Sequence, residues 1–163
     1  MQHRKGPFFS SLGLLSLCLW IIGAAVLTWW FIQGNTMPGT DGRTAVVLSS
    51  GERAIILKEM RQLLQAVHGV VTGMRNPDQI QGRKQAATAA GSGGMKMASD
   101  VNPALMLKLP LSMKQIGMSV HRAFDDLEAA ITSGATTQEV LQGLSTITSR
   151  CTACHEMFQI KEG

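Results

Sequence analysis

Three residues near the end of the chain have the types and the spacing needed to attach a haem group. Cys151, Cys154 and His155 form the pattern Cys-x-x-Cys-His, in which two thiols can bond to the vinyl groups of a porphyrin. On a helix, Cys151 lies one turn from both other residues, so the three side chains project to overlapping sides. The imidazole of His155 is then the expected proximal ligand of the iron. The motif therefore predicts one covalent haem c.

Two other chemistries use cysteines at this spacing. A thioredoxin-like redox pair requires a strand, a turn and a helix around the motif, whereas this pair ends a segment with helical patterns only. A zinc site requires a fourth ligand near in sequence, and none is present. Cys18 lies far away in an apolar segment, so the three cysteines are too few for a disulfide scaffold.

The N-terminal part, residues 1–33, predicts a cytoplasmic stub and a transmembrane anchor. Arg4 and Lys5 precede an apolar run of 25 residues at positions 8–32. As a helix this run would be roughly 37 Å long, enough to cross a hydrocarbon core of about 30 Å. A cleaved signal sequence is the alternative, although its apolar part is usually only about 7–15 residues long. Positive charges keep the N-terminus in the cytoplasm, which predicts a single-pass protein of a bacterial inner membrane with its main domain in the periplasm.

The remaining chain predicts a flexible tether at residues 34–49 and a helical domain at residues 50–163. The tether is rich in glycine and polar residues. Four stretches with apolar residues at helical spacing follow, at about 49–75, 76–90, 110–134 and 136–151. Residues 95–109 are expected to be irregular. Four helices with mostly short connections predict an all-α fold, an antiparallel up-and-down four-helix bundle.

Local signals place the helix starts and the faces that pack. Ser49 with Glu52, and Thr136 with Glu139, have the spacing of capping boxes, and Asn76 followed by a proline predicts a third start. The first helix has an apolar stripe that is expected to be buried, consisting of Ile56, Leu57, Met60, Leu63, Leu64, Val67 and Val71.

The net charge of +4 arises from scattered basic residues. They form no stripe with interleaved aromatic residues, so no binding of nucleic acid is predicted.

A single attachment motif on the last helix of a four-helix bundle resembles the class II c-type cytochromes, the cytochrome c-prime family with its low-spin members. The similarity covers about residues 51–160, with its best stretch from Leu109-Pro110 through His121 and Phe124 and then into the motif with Phe158. The resemblance implies one haem c, no turnover of a substrate, and redox proteins of the membrane or periplasm as partners. It also implies that a homodimer through the first two helices is common.

By the same resemblance, the residue opposite His155 decides the function. Family members with methionine there are low-spin electron carriers, and members with leucine or phenylalanine bind nitric oxide or carbon monoxide at an open iron. Met60 is the candidate distal ligand here, and Leu64 lies one turn further on the same stripe. Met60 could equally be ordinary core, because methionine fills gaps well. His68 and His121 are competing ligands.

The proximal side departs from the family in one respect. A basic residue commonly follows the proximal histidine by four positions, whereas this chain has Gln159 there. Phe158 keeps an aromatic side chain one turn after His155 and is expected to pack on the haem edge. We expect electron transfer by the haem iron; the alternatives are gas binding at an open site and a non-catalytic subunit of a larger respiratory complex.

Overall fold

An apolar helix opens the part of the chain that the computed structural model describes, residues 11–99 and 102–163. This helix, α1 (Ser11–Gln33), has 23 residues and is exposed over almost its whole length. It is long and apolar enough to cross a membrane, as either a single-pass anchor or a signal sequence would be. Arg4, Lys5 and the first positions of the predicted apolar run lie outside the described residues.

A small sheet occupies the segment that was expected to be a tether. Its strands are β1 (Thr36–Pro38), β2 (Thr44–Leu48) and β3 (Phe158–Glu162). β2 pairs antiparallel with β1 and parallel with β3. Val46 and Leu48 of β2 are buried. Residues 34–49 are therefore ordered rather than a free tether, and the fold is mostly helical rather than all-α, because this short apolar run buries its side chains as a strand.

Six helices follow β2 in the described residues. They are α2 (Ser50–Gly73), α3 (Ile80–Ser92), α4 (Met95–Ser99), α5 (Pro103–Lys108), α6 (Leu111–Thr132) and α7 (Thr137–Met157). The long helices α2, α3, α6 and α7 confirm the four predicted helices. The short helices α4 and α5 lie in the segment that was expected to be irregular, and Asn102 caps α5 by accepting the N–H of Ala104.

Two of the three helix starts predicted from side-chain caps are confirmed, and α6 begins directly after Pro110, as predicted. Ser49 and Glu52 exchange side-chain and backbone hydrogen bonds at the start of α2, and Thr136 and Glu139 do the same at the start of α7. Each box satisfies N–H groups that the first helical turn leaves without partners. The third start is wrong: α3 begins at Ile80, beyond the predicted cap at Asn76, and Gln79 makes no side-chain cap bond.

The helices pack in sequence, α2 on α3, α3 on α6 and α6 on α7. Small residues bring α2 and α3 together: a Cβ on Gly73 would lie 2.6 Å from the backbone nitrogen of Ala86. All four helices contribute to a main core that contains Val70, Ala86, Phe124 and Ile147. A closed four-helix bundle is not established, since α2, α6 and α7 surround an apolar cavity at the end of the domain nearer the sheet.

A second cluster of buried apolar residues, which we call the sheet-side core, lies between the sheet and the helices. Val46 and Leu48 of β2 pack there with Ile56, Leu105 and Met113 from three helical segments. The sheet-side core joins the sheet to α2, α5 and α6, so it fixes the end of the domain where the Cys-x-x-Cys-His motif lies.

Candidate functional site

The motif lies on the last turns of α7, as predicted, and its two cysteines reach different clusters. Cys151 packs against the main core, and Cys154 packs against the sheet-side core. Both thiols are free and half-buried, whereas His155 is exposed. The motif therefore bridges the two cores along one side of the cavity.

The surroundings of these thiols differ from those of a reactive cysteine pair. Burial raises the pKa of the Cys151 thiol. Burial, together with the neighbouring Cys151, raises the pKa of Cys154. Reactive cysteines instead have a lowered pKa, often at a helix N-terminus, and this pair lies near a helix C-terminus. The thiols are set up as neutral groups in apolar surroundings.

All three motif residues line a cavity of about 490 Å³. Its walls come from α2, α6 and α7, with a contribution from Met106 and Leu109 around α5. Most lining side chains are apolar, and the volume falls within the range of about 300–1,000 Å³ that is typical of sites for cofactors and other small molecules. The chain thus places two thiols and an imidazole beside a pocket suited to a largely apolar group.

Across the cavity from the motif lies an apolar stripe of α2, which we call the α2 cavity stripe. It consists of Leu57, Met60, Leu64 and Val67. Both predicted distal candidates, Met60 and Leu64, are therefore brought to the same cavity as His155. Leu64 remains 68% exposed, and Val71 of the predicted stripe is also exposed. The prediction that the apolar stripe of the first helix is buried in the protein core is therefore wrong for Leu64 and Val71.

The two competing histidines differ sharply in position. His121 is only 2% exposed and lines the cavity, but protein groups occupy both of its ring nitrogens. Nδ1 lies 2.7 Å from the carbonyl oxygen of Gly93, and Nε2 lies 2.9 Å from Oε1 of Glu59. His68 is exposed, with Nε2 3.5 Å from Oγ1 of Thr72, and is not one of the lining residues. Neither histidine offers a free nitrogen to the cavity in this arrangement.

The surroundings of His121 favour its charged form. Burial alone would lower the pKa of the imidazole, but the Glu59 carboxylate and the Gly93 carbonyl outweigh burial, and the net shift raises the pKa of His121. A charged imidazole donates a hydrogen bond from each nitrogen, which matches both partners. The Glu59–His121 ion pair joins α2 to α6 at the edge of the cavity.

Several cavity residues were not found from the sequence. Met106, Met113 and Met118 line the cavity beside Met60, which gives four thioethers where the sequence singled out one. Met113 is buried on α6, where apolar spacing predicts a packing face and singles out no ligand. Met106 lies in the segment that was expected to be irregular, so its position depends on the packing of α5.

Basic side chains also reach this cavity. Arg61, Lys114 and Arg150 are among its lining residues. Nη1 of Arg150 donates a hydrogen bond of 2.6 Å to the carbonyl oxygen of Ser119, which ties α7 to α6 next to the motif. These cations suit a ligand that carries carboxylate groups as well as an apolar body.

The backbone of the motif receives an arginine from a distant segment. Nη1 of Arg43, in the turn before β2, donates a hydrogen bond of 3.1 Å to the backbone oxygen of His155. Asp41 pairs with Arg43 and also accepts a hydrogen bond of 3.1 Å from Gln159. A basic group is thus supplied beside the motif, although position 159 itself is not basic. Phe158 begins β3 and packs against the sheet-side core.

A metal site made by side chains alone has no support in the described residues, where no group of three or more His, Cys, Asp or Glu side chains is placed to hold an ion. Comparison with known proteins identifies no relative of this chain. No family model matches the sequence, and no curated protein or solved structure is significantly similar to it.

Proposed function

We propose that this chain is a membrane-anchored monohaem c-type cytochrome that transfers electrons in the periplasm. The observation that carries the proposal is the convergence of Cys151, Cys154 and His155 on one apolar cavity. The proposal does not include an enzymatic reaction. It places the protein with the class II c-type cytochromes, which its motif resembles.

The residues around the cavity fit a covalent haem. The thiols of Cys151 and Cys154 would each add across a vinyl group, forming a thioether and leaving the proton on the neighbouring carbon. His155 would be the proximal iron ligand, and Arg61 and Arg150 would face the haem carboxylates. Haem iron supplies reversible one-electron transfer, while the apolar walls limit the access of water to it.

A haem in this cavity would also explain the exposure of Leu64 on the α2 cavity stripe. Leu64 is far more exposed than the core residues on the opposite face of α2. A flat apolar group placed between this stripe and α7 would cover it, and α2 would then close against the motif helix through the haem. The predicted four-helix bundle would thus be completed by its cofactor.

On the distal side, Met60 is the proposed sixth ligand of a low-spin electron carrier. Five-coordinate iron that binds nitric oxide or carbon monoxide is the second candidate, and one observation favours it. Met60 packs against the sheet-side core, which can hold its thioether away from the iron. Leu64 would then present an inert alkyl group to the distal face.

The helix α1 is proposed to be a single-pass anchor in the bacterial inner membrane. Its length and exposed apolar surface support this role. Partners would be redox proteins of the membrane or periplasm, and a homodimer is the assembly that the family resemblance favours. A sedimentation measurement of the detergent-solubilised protein would test the dimer.

Visible spectroscopy of washed membranes from cells that make the protein and can attach haem tests the proposal. Reduction in alkaline pyridine should give the sharp spectrum of haem held by thioether bonds, and the colour should remain with the chain on a denaturing gel. A chain without covalent haem would refute the proposed function. On the native reduced protein, no change with carbon monoxide supports a ligated iron, whereas a shift with the gas supports the open site.

A further inference from the structure

The junction between α1 and the domain is built without a flexible linker. Gly34 follows the helix directly, is buried, and has a φ of +64°. Its N–H donates a hydrogen bond of 2.8 Å to the carbonyl oxygen of Trp30. A Cβ at this position would lie 2.5 Å from the backbone oxygen of Lys108. Only glycine fits here, because the backbone turns left-handed and passes directly against the α5–α6 connection.

The next residue continues the attachment. The N–H of Asn35 donates a hydrogen bond of 2.7 Å to the same Lys108 oxygen. Nδ2 of Asn35 bonds the carbonyl oxygen of Val47 at 2.8 Å, and the N–H of Val47 bonds the carbonyl oxygen of Asn35 at 2.8 Å. Asn35 is therefore fixed to α5 on one side and to β2 on the other.

Lys114 of α6 holds the last turn of α1 from the domain side. Its Nζ donates a hydrogen bond of 3.0 Å to the carbonyl oxygen of Phe31 and lies 3.8 Å from the centre of the Phe31 ring. A helix C-terminus and an aromatic face both attract a cation. Lys114 is also one of the residues that line the cavity. A single side chain thus connects the outer end of α1 to the wall of the haem site.

The motif lies at this same end of the domain. β3 begins directly after α7, and its partner β2 is also paired with β1, which starts three residues after the end of α1. Gln33 of α1 and Glu156, the neighbour of His155, line one groove. The iron site is therefore next to the point where the chain would leave the bilayer.

We infer that this junction holds the haem at a fixed angle and height above the membrane, so that its electron partner is a membrane-integral redox protein docking beside α1. The inference rests on the proposed function. A rigid junction prevents the domain from swinging outward to meet a diffusing protein. A rigid junction also keeps the haem at a constant orientation and a short distance from a neighbouring membrane protein. This favours such a partner, because electron transfer slows steeply with distance. A soluble periplasmic protein is the alternative partner that the test distinguishes.

Linear dichroism of the haem bands in oriented membrane multilayers measures the fixed angle in the full-length protein. The test variant has eight Gly/Ser residues inserted between Gln33 and Gly34. The matched control has the same insertion after Gly134, a left-handed turn residue with open space around it, between α6 and α7. We expect dichroism in the original protein and in the control, and its loss in the test variant, with the same haem spectrum in all three.

The partner is tested by the rate at which the haem is reduced by the membrane's own electron donors, compared with a small soluble reductant. Lengthening the junction lowers the effective concentration of the domain near a membrane partner, so we expect about tenfold slower reduction by the membrane donors in the test variant. The rate with the soluble reductant should stay unchanged. If the original protein binds haem but shows no dichroism, this inference is refuted and the proposed function is not. Equal rates with membrane donors would overturn the membrane partner in favour of a soluble one. Absence of covalent haem would refute the proposed function and this inference together.

Discussion

The two faces of α2 are covered in different ways. The face toward α3 has small residues, and Ala66, Val70 and Gly73 are buried there against neighbouring helices. The face toward the motif carries the bulkier α2 cavity stripe, where Leu64 remains 68% exposed. The small-residue face is closed by protein contact, whereas Leu64 on the bulkier face is left open to solvent. This difference supports a cofactor between α2 and α7, and the experiments below test it.

Replacing the two attachment cysteines, which face α2 across the cavity, should abolish covalent binding of the haem. In the double variant Cys151→Ala and Cys154→Ala, we expect total loss of covalent haem, because no thioether bond can form. Haem staining on a denaturing gel measures this loss. Cys18→Ala is the matched control, since Cys18 lies on exposed α1 and should keep full staining. Staining that survives in the double variant would show that the haem is held elsewhere.

The distal residue should change the spectrum without removing the haem. Met60→Leu preserves volume and apolar character, so we expect normal attachment with conversion from a low-spin to a high-spin ferrous spectrum. Met106→Leu is the control, because Met106 lines the same cavity on a different element. If Met106→Leu converts the spectrum and Met60→Leu does not, the ligand comes from α5. Two unchanged spectra would exclude both thioethers.

Stability measurements on the haem-free Cys151→Ala and Cys154→Ala background compare the two faces directly. Phe124 is fully buried in the main core, so Phe124→Ala should lower the free energy of unfolding by about 3–5 kcal/mol. Leu64→Ala should change it by less than about 0.5 kcal/mol, because the leucine already contacts solvent. Chemical denaturation monitored by circular dichroism gives both values. A large cost for Leu64→Ala would mean that protein covers this face without haem.

The correct helix starts depend on nearby residues, whereas the parallel pairing in the sheet depends on distant ones. Ser49 with Glu52 placed the start of α2, because a capping box involves only four consecutive residues. The sheet was missed because β2 pairs with β3 across more than a hundred residues, and no local pattern specifies that pairing.

The same distinction applies to the candidate site. Cys151, Cys154 and His155 were found because their chemistry requires a fixed local spacing. The apolar stripe on α2 was predicted from its helical spacing. However, apolar residues occur on two faces of this helix, and spacing does not distinguish residues of the core from residues that line a cavity. Arg43 and Lys114 reach the site only through tertiary packing, and no local pattern indicates either contact.

The Glu59–His121 pair joins α2 to α6 beside the cavity, and it should make stability depend weakly on pH. The folded protein raises the pKa of His121 above its ordinary value of 6.5. A raised pKa means that the folded state binds the proton more tightly than the unfolded state. This stabilisation is complete below pH 6.5 and is lost as the pH rises through the higher pKa of the folded state. We therefore expect the free energy of unfolding to fall over that interval.

The variant His121→Gln isolates this contribution, because glutamine keeps a hydrogen-bonding side chain but does not titrate in this range. Its free energy of unfolding should lack the decrease that His121 causes above pH 6.5. His68→Gln is the control, since His68 is exposed and lies outside the cavity lining, and it should keep the original pH dependence. Denaturant unfolding at several pH values on the haem-free background measures all three proteins without interference from iron ligation. A decrease that persists in His121→Gln, or disappears in His68→Gln, would show that the Glu59–His121 ion pair is not its source.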